Sequence, residues 1–181
     1  MTRLADIYSR YSAPAGFGDK GTAHNYMPIY DAEINRTSNT TLLEIGVLFG
    51  HSIAMWNEYL SPDRVVGLDT NLSRVRYPLD NVHECDATER DAVDRVLGER
   101  TFDYVIDDGS HVLADQIAAI DIFVSRLKTD GRMFIEDIDG DESLQMIIDH
   151  LRDQRLRFGV YDGRKPGRQP DEILIIIKAG E

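Results

Sequence analysis

Glu44–Ile45–Gly46–Val47–Leu48–Phe49–Gly50–His51–Ser52 is the stretch on which the reading of the fold turns. An apolar run from Thr41 to Ile45 leads into two glycines, and a helical period of Ile53, Trp56 and Leu60 starts directly after them. Glycines at such a turn let a ligand approach the backbone, and the helix beyond presents unpaired N–H groups. Working outward, Arg64–Asp69, Phe102–Asp107 and Arg132–Glu136 are further apolar runs that close on acids, and Asn81–Cys85 is a shorter one. Helical periods separate them: Ala92, Val93, Val96 and Leu97; then Leu113, Ile117, Ile120, Val124 and Leu127, predicted as the longest helix; then Leu144, Ile147, Ile148 and Leu151. This alternation specifies an α/β fold with a mostly parallel sheet and helices on both faces. The end breaks the rhythm, because Leu156–Tyr161 and Ile173–Lys178 are both strand-like and the Asp162–Pro170 joint is too short for a crossover helix. Antiparallel strands can be joined that tightly, so a C-terminal hairpin is expected.

Residues 1–40 stand apart as a helical lid or appendage to the domain of residues 41–181. Leu4, Ile7, Tyr8 and Tyr11 predict one short helix and Met27, Tyr30 and Ile34 a second, with the Gly-rich Ala13–Thr22 segment between them. A chain of 181 residues is expected to form one domain with this short addition. A net charge of −12 repels phosphate backbones and argues against a nucleic-acid partner. No apolar run approaches the roughly 18 residues of a membrane span, and no apolar stretch near Met1 reads as a secretory signal. Cys85 is the single cysteine, which excludes an intramolecular disulfide and fits a reducing, cytoplasmic setting.

Two constellations carry chemistry. In the first, Asp69 closes the second run about 20 residues after the glycine turn, where a carboxylate accepts hydrogen bonds from ribose hydroxyls. Asp86 ends the third run, where an adenine amino group could be read. An ordinary tight turn with a solvated acid is the plainer alternative. NAD and S-adenosylmethionine both use this corner of an α/β sheet. The dinucleotide pattern G-x-G-x-x-G is not met, since Leu48 takes the second glycine's place. Glu44 would oppose a pyrophosphate but attract the cationic end of a sulfonium, and the terminal hairpin fits a methyltransferase sheet better. The balance favours S-adenosylmethionine. The candidate cofactor residues are Glu44, Gly46, Gly50 and Ser52 at the turn, Asp69, Asp86 and Asp107 at later strand ends, and Tyr26, which with His24 and Tyr30 would close over the cofactor. His51 could cap its helix or touch the cofactor.

The second constellation is Ile106–Asp107–Asp108–Gly109–Ser110–His111 with Ile135–Glu136–Asp137. Carboxylates converging from two strand ends repel one another unless protonated or bound to a cation. Hard oxygen donors suit Mg²⁺, with water or substrate completing the octahedron. Helix capping by Ser110 and Asp139 accounts for one acid per turn but not for four. His111 faces the same cleft, where it could be a general base, a metal ligand or an exposed residue at a helix start.

Together with Asp19–Lys20–Gly21–Thr22–Ala23–His24–Asn25–Tyr26 and Leu43–Glu44–Ile45–Gly46–Val47, these motifs resemble the metal-dependent sugar O-methyltransferases of antibiotic biosynthesis, the mycinamicin, elloramycin and macrocin enzymes among them. The resemblance runs from about Asp19 to the C-terminus. It implies a Rossmann-like class I methyltransferase fold with a seven-stranded sheet, and methyl transfer from S-adenosylmethionine to a hydroxyl of a sugar moiety. It also implies Mg²⁺ on Asp108, Glu136 and Asp137, with His111 as base, a glycoside or polyol substrate, and a homo-oligomer. Two features depart from the family. About 40 residues precede the first strand, where relatives often carry an auxiliary domain, and Gly50–His51–Ser52 replaces a more usual Gly-Gly-Ser. Two other readings stay open: a catechol or vicinal-diol O-methyltransferase, with Trp56, Phe17 or Tyr26 supplying an apolar slot, and a non-catalytic S-adenosylmethionine-binding protein.

Overall fold

A computed structural model of the chain describes residues 3–11, 20–21, 24–166 and 169–180. Most of the Ala13–Thr22 segment, together with Phe17, Asp19, Ala23 and Arg168, lies outside the described residues. Seven strands form one sheet: β1 (Leu42–Ile45), β2 (Val65–Asp69), β3 (Val82–Glu84), β4 (Phe102–Asp107), β5 (Leu127–Ile135), β6 (Arg157–Asp162) and β7 (Ile173–Lys178). Their order is β3-β2-β1-β4-β5-β7-β6. The first five pair in parallel, and β7 inserts antiparallel between β5 and β6. The sheet is the mixed, Rossmann-like one expected, hairpin included. Among the described residues no helix is long and apolar enough to cross a membrane.

Strand alternation divides the core into two layers. Leu43, Ile45, Val105, Met133 and Ile135 face α4 (Arg90–Leu97), α5 (Leu113–Phe123) and α6 (Gly140–Asp153). Leu42, Tyr104, Ile106 and Phe134 face α1 (Leu4–Tyr11), α2 (Met27–Glu33) and α3 (His51–Tyr59). Both N-terminal helices are therefore part of the core: Leu4, Ile7, Met27 and Tyr30 are buried with Trp56, whose ring meets Tyr30 edge-on at 5.6 Å.

The predicted longest helix is shorter than expected. It ends at Phe123, a single 3-10 turn covers Val124–Arg126, and Leu127 pairs with Phe102 as the first residue of β5. The 14-residue α6 is longer.

Candidate active site

The carboxyl ends of β1, β2, β3, β4 and β5 open onto one side of the sheet, and the candidate residues gather there in two adjoining halves. The first half is a cavity of about 510 Å³, open mouth included, lined by Gly46, Asp69, Cys85, Asp86, Asp107 and Gly109 among others. Its turn is braced by Asp69, which accepts the Val47 and Leu48 N–H groups at 2.8 and 2.9 Å through Oδ2 and the Asn71 N–H through Oδ1. Gly46 has φ +85°, and a Cβ there would lie 1.9 Å from the Asp108 carbonyl oxygen. Only glycine fits, for the angle and for the contact. Asp86 accepts the Thr88 N–H and hydroxyl through Oδ1. Asp107 is buried, with Oδ1 taking the Gly109 N–H and Oδ2 without a hydrogen-bond partner. Burial is the main cause that raises its carboxyl to about 7, with neighbouring Asp108 adding to it.

Gly50 and Ser52 lie at the start of α3, outside the cavity lining; Gly50 has φ +85° and ends the turn. His51 packs its ring against Tyr77 at 5.3 Å. Trp56 is fully buried, so it supplies no slot for an aromatic acceptor.

The second half is acidic, and alternation explains its membership. Glu44 lies on the face of Leu42, and Asp108 and Glu136 continue the faces of Ile106 and Phe134, so all three are directed to the layer that holds α1 and α2. There they meet Lys20, only 2% exposed. Its ammonium donates to Asp108 Oδ2 and, at 2.6 Å, to Glu136 Oε1, and sits 3.4 Å from Glu44 Oε1. Tyr30 donates its hydroxyl to the same Glu136 oxygen. Tyr26, expected over the cofactor, is placed among the acids, donating to Asp137 Oδ1 at 2.8 Å. His24 stacks on Tyr26, with Nε2 in hydrogen-bond contact with Asp171 Oδ1 at 3.2 Å and Nδ1 lying 3.1 Å from Asp137 Oδ1 without a hydrogen bond.

Asp108 Oδ1 and Asp137 Oδ2 each lie 3.9 Å from His111 Nε2. His111 sits in the loop before α5, with its Nδ1 buried and without a hydrogen-bond partner. Both loops are bent into the left-handed region, with φ 57° at His111 and 54° at Asp137. Non-glycine residues rarely adopt it, and such strain concentrates at functional sites.

Burial sets the electrostatics. It pushes Glu44 up to about 7 against the pull of Lys20, and Asp137 up to about 6 with Asp108 adding to the rise. Glu136 is raised well above the carboxylate range by burial, opposed by Lys20. Burial alone would lower Lys20, but Asp108, Glu136 and Glu44 together hold it well above the usual lysine value. Four carboxyl groups crowd one ammonium, and a divalent cation among them would favour their ionised forms.

The donor set fits such a cation. Asp108, His111 and Asp137 offer polar atoms within 4.8 Å of one another; the two carboxylates are the hard oxygen donors that Mg²⁺ or Mn²⁺ takes, and the imidazole stands beside them. Glu136 stands one step behind, engaged by Lys20 and Tyr30 through Oε1. His24, Asp137 and Asp171 form a second group of the same kind, but there the imidazole itself fills the gap. Lys20 and Asp171 were not singled out from sequence as site residues. Lys20 stood inside the quoted Asp19–Tyr26 motif, and Asp171 follows the hairpin joint.

No family model matches the chain. Over 133 residues it is 33% identical to the 8-demethyl-8-alpha-L-rhamnosyl tetracenomycin-C 2'-O-methyltransferase of Streptomyces olivaceus, covering 66% of this chain and 35% of that protein. Over 148 residues it is 29% identical to the mycinamicin VI 2''-O-methyltransferase of Micromonospora griseorubida, covering 75% and 36%. The chain thus spans about a third of the length of these curated relatives. Among solved structures, the MycE methyltransferase of the mycinamycin biosynthetic pathway, in complex with Mg and SAH, superposes over 98% of this chain and 55% of its own, with TM-score 0.71 and 23% identity. A Klebsiella pneumoniae structure described as an O-methyltransferase shares the fold at TM-score 0.64 and 14% identity. The chain has the class I methyltransferase fold and is a homologue of the sugar O-methyltransferases of the tetracenomycin and mycinamicin pathways.

Proposed function

We propose that this chain transfers a methyl group from S-adenosylmethionine to a sugar hydroxyl of a glycosylated natural product, using Mg²⁺ held by Asp108 and Asp137 with Glu136 behind them. The observation that carries the reading is the convergence of Asp108, His111 and Asp137 beside a cavity walled by Asp69, Asp86 and Asp107. The names of the relatives support the substrate class, and a MycE complex with Mg, SAH and mycinamycin VI supports the cofactor pair. The lone Cys85 and the biosynthetic relatives support a cytoplasmic setting.

A divalent cation at this position lowers the pKa of a bound hydroxyl as a Lewis acid. The remaining work falls to the chain's own groups. Asp69 and Asp86 would take the ribose and adenine ends of the donor, and the Gly46 turn lets the donor approach the backbone. His111 Nε2, beyond hydrogen-bond distance of both carboxylates, would accept the hydroxyl proton. Tyr26 donates to Asp137 Oδ1, with the His24 ring 3.1 Å from the same oxygen, which would leave Oδ2 for the cation.

A transfer panel over deoxyhexosyl glycosides and catechols, with and without EDTA, tests the proposal. Expected is S-adenosylhomocysteine formation from a glycoside, abolished by EDTA and restored by Mg²⁺. Turnover indifferent to EDTA, or donor binding without turnover on any acceptor, would overturn it.

A further inference from the structure

We infer that Lys20 is a positioning residue for the divalent-cation centre, holding Asp108 by one oxygen so that the other faces Asp137 and His111. The inference rests on the cation reading above and goes beyond it, because Lys20 is no ligand. Three observations carry it. Lys20 is the one buried lysine among the described residues, and an ammonium taken out of water is tolerated only where partners compensate it. Its partners come from three different strand ends, Glu44, Asp108 and Glu136, so a single group ties the donor turn to both acid loops. Among the described residues, the Asp108 carboxylate has Oδ2 on Lys20 and Oδ1 on the side of His111.

The backbone shows how the lysine is delivered. The Lys20 carbonyl accepts the Tyr26 N–H at 2.8 Å, tying the lysine's backbone to the tyrosine that donates to Asp137. Two residues joined by that bond therefore engage both carboxylates of the centre, Lys20 on Asp108 and Tyr26 on Asp137. Groups that orient metal ligands in this way are worth about 10- to 100-fold in metal affinity.

The test is Mn²⁺ binding by the full chain saturated with S-adenosylhomocysteine, followed by electron paramagnetic resonance without acceptor, with a thermal melt alongside. Lys20→Met is expected to bind Mn²⁺ about 10- to 100-fold more weakly than wild type while still binding S-adenosylhomocysteine. A purely structural lysine would lower the melting temperature and leave the Mn²⁺ affinity of the folded variant unchanged. Unchanged or tighter Mn²⁺ binding by folded Lys20→Met overturns the inference. If Lys20→Met does not fold, Lys20→Gln and Lys20→Arg are compared instead: weakening in the neutral variant alone supports positioning by the cation, and equal affinity in both overturns it. Wild-type protein that binds S-adenosylhomocysteine but no Mn²⁺ would instead overturn the cation reading itself.

Discussion

His111 and Asp137 hold left-handed backbone angles and face each other across the position where a cation and an acceptor oxygen would meet. If His111 accepts the proton, His111→Ala should lower kcat by about 100- to 10,000-fold while Mn²⁺ affinity holds. A fall in Mn²⁺ affinity together with rate would mark it as a ligand instead. Asp107 makes a separate prediction. Its carboxyl is raised to about 7 by burial, so it is protonated in the folded chain over a range where the unfolded chain is ionised. A group shifted that way contributes stability below its unfolded value and loses it as pH rises through the folded one. The cofactor-free chain in EDTA should therefore lose stability from about pH 4 to about 7, and melts of Asp107→Asn should show a flatter slope. At this scale the acids at strand ends were legible, because four carboxylates in two short motifs exceed what capping requires. Lys20 was not: a lysine in a Gly-rich segment reads as solvated until alternation places Glu44, Asp108 and Glu136 on the face it reaches.

Among the elements, the turn after β1 is the most constrained. Gly46→Ala would force a Cβ into the Asp108 carbonyl as well as straining φ, at a cost of at least about 3 kcal/mol. Calorimetry should show a lower melting temperature and no detectable S-adenosylhomocysteine binding. The N-terminal helices were legible as helices, from Leu4, Ile7 and Tyr8 and from Met27 and Tyr30, but their place in the core was not. Separate packing of a lid and burial against a sheet leave the same apolar period. Trp56 decides it, filling the layer between those helices and the sheet. Trp56→Ala should cost about 3–5 kcal/mol and make the region around α1 and α2 the first to be cut in limited proteolysis. The misplaced end of α5 has a similar origin. Leu127 falls on the helical period of Leu113 to Val124, yet its side chain is accommodated as the first residue of β5, so periodicity alone carried the helix too far.

For the molecule as a whole, a mostly parallel sheet closing on a hairpin was legible from alternation and the short Asp162–Pro170 joint, whereas the order of the strands, with β7 between β5 and β6, was not. Which carboxylates would share a cation did not follow, since that depends on distances between loops from different strands. A chain of net charge −12 with four carboxyl groups gathered in one centre should be stabilised by a cation that binds their ionised forms. Mg²⁺ at about 100 times its dissociation constant would add about 2.7 kcal/mol to the free energy of unfolding. Wild type should melt higher in Mg²⁺ than in EDTA, and Asp108→Asn and Asp137→Asn should show no such difference.

The abutment of Gly46 on the Asp108 carbonyl also bears on redesign. That wall of the cavity is main chain pressed on main chain, and no substitution can carve it back. If the donor's purine lies in this cavity, space for an enlarged one must come from lining side chains, such as the thiol of Cys85 and the methyl of Ala87. A library aimed at orthogonal donor analogues should begin with those two positions and leave the glycine untouched.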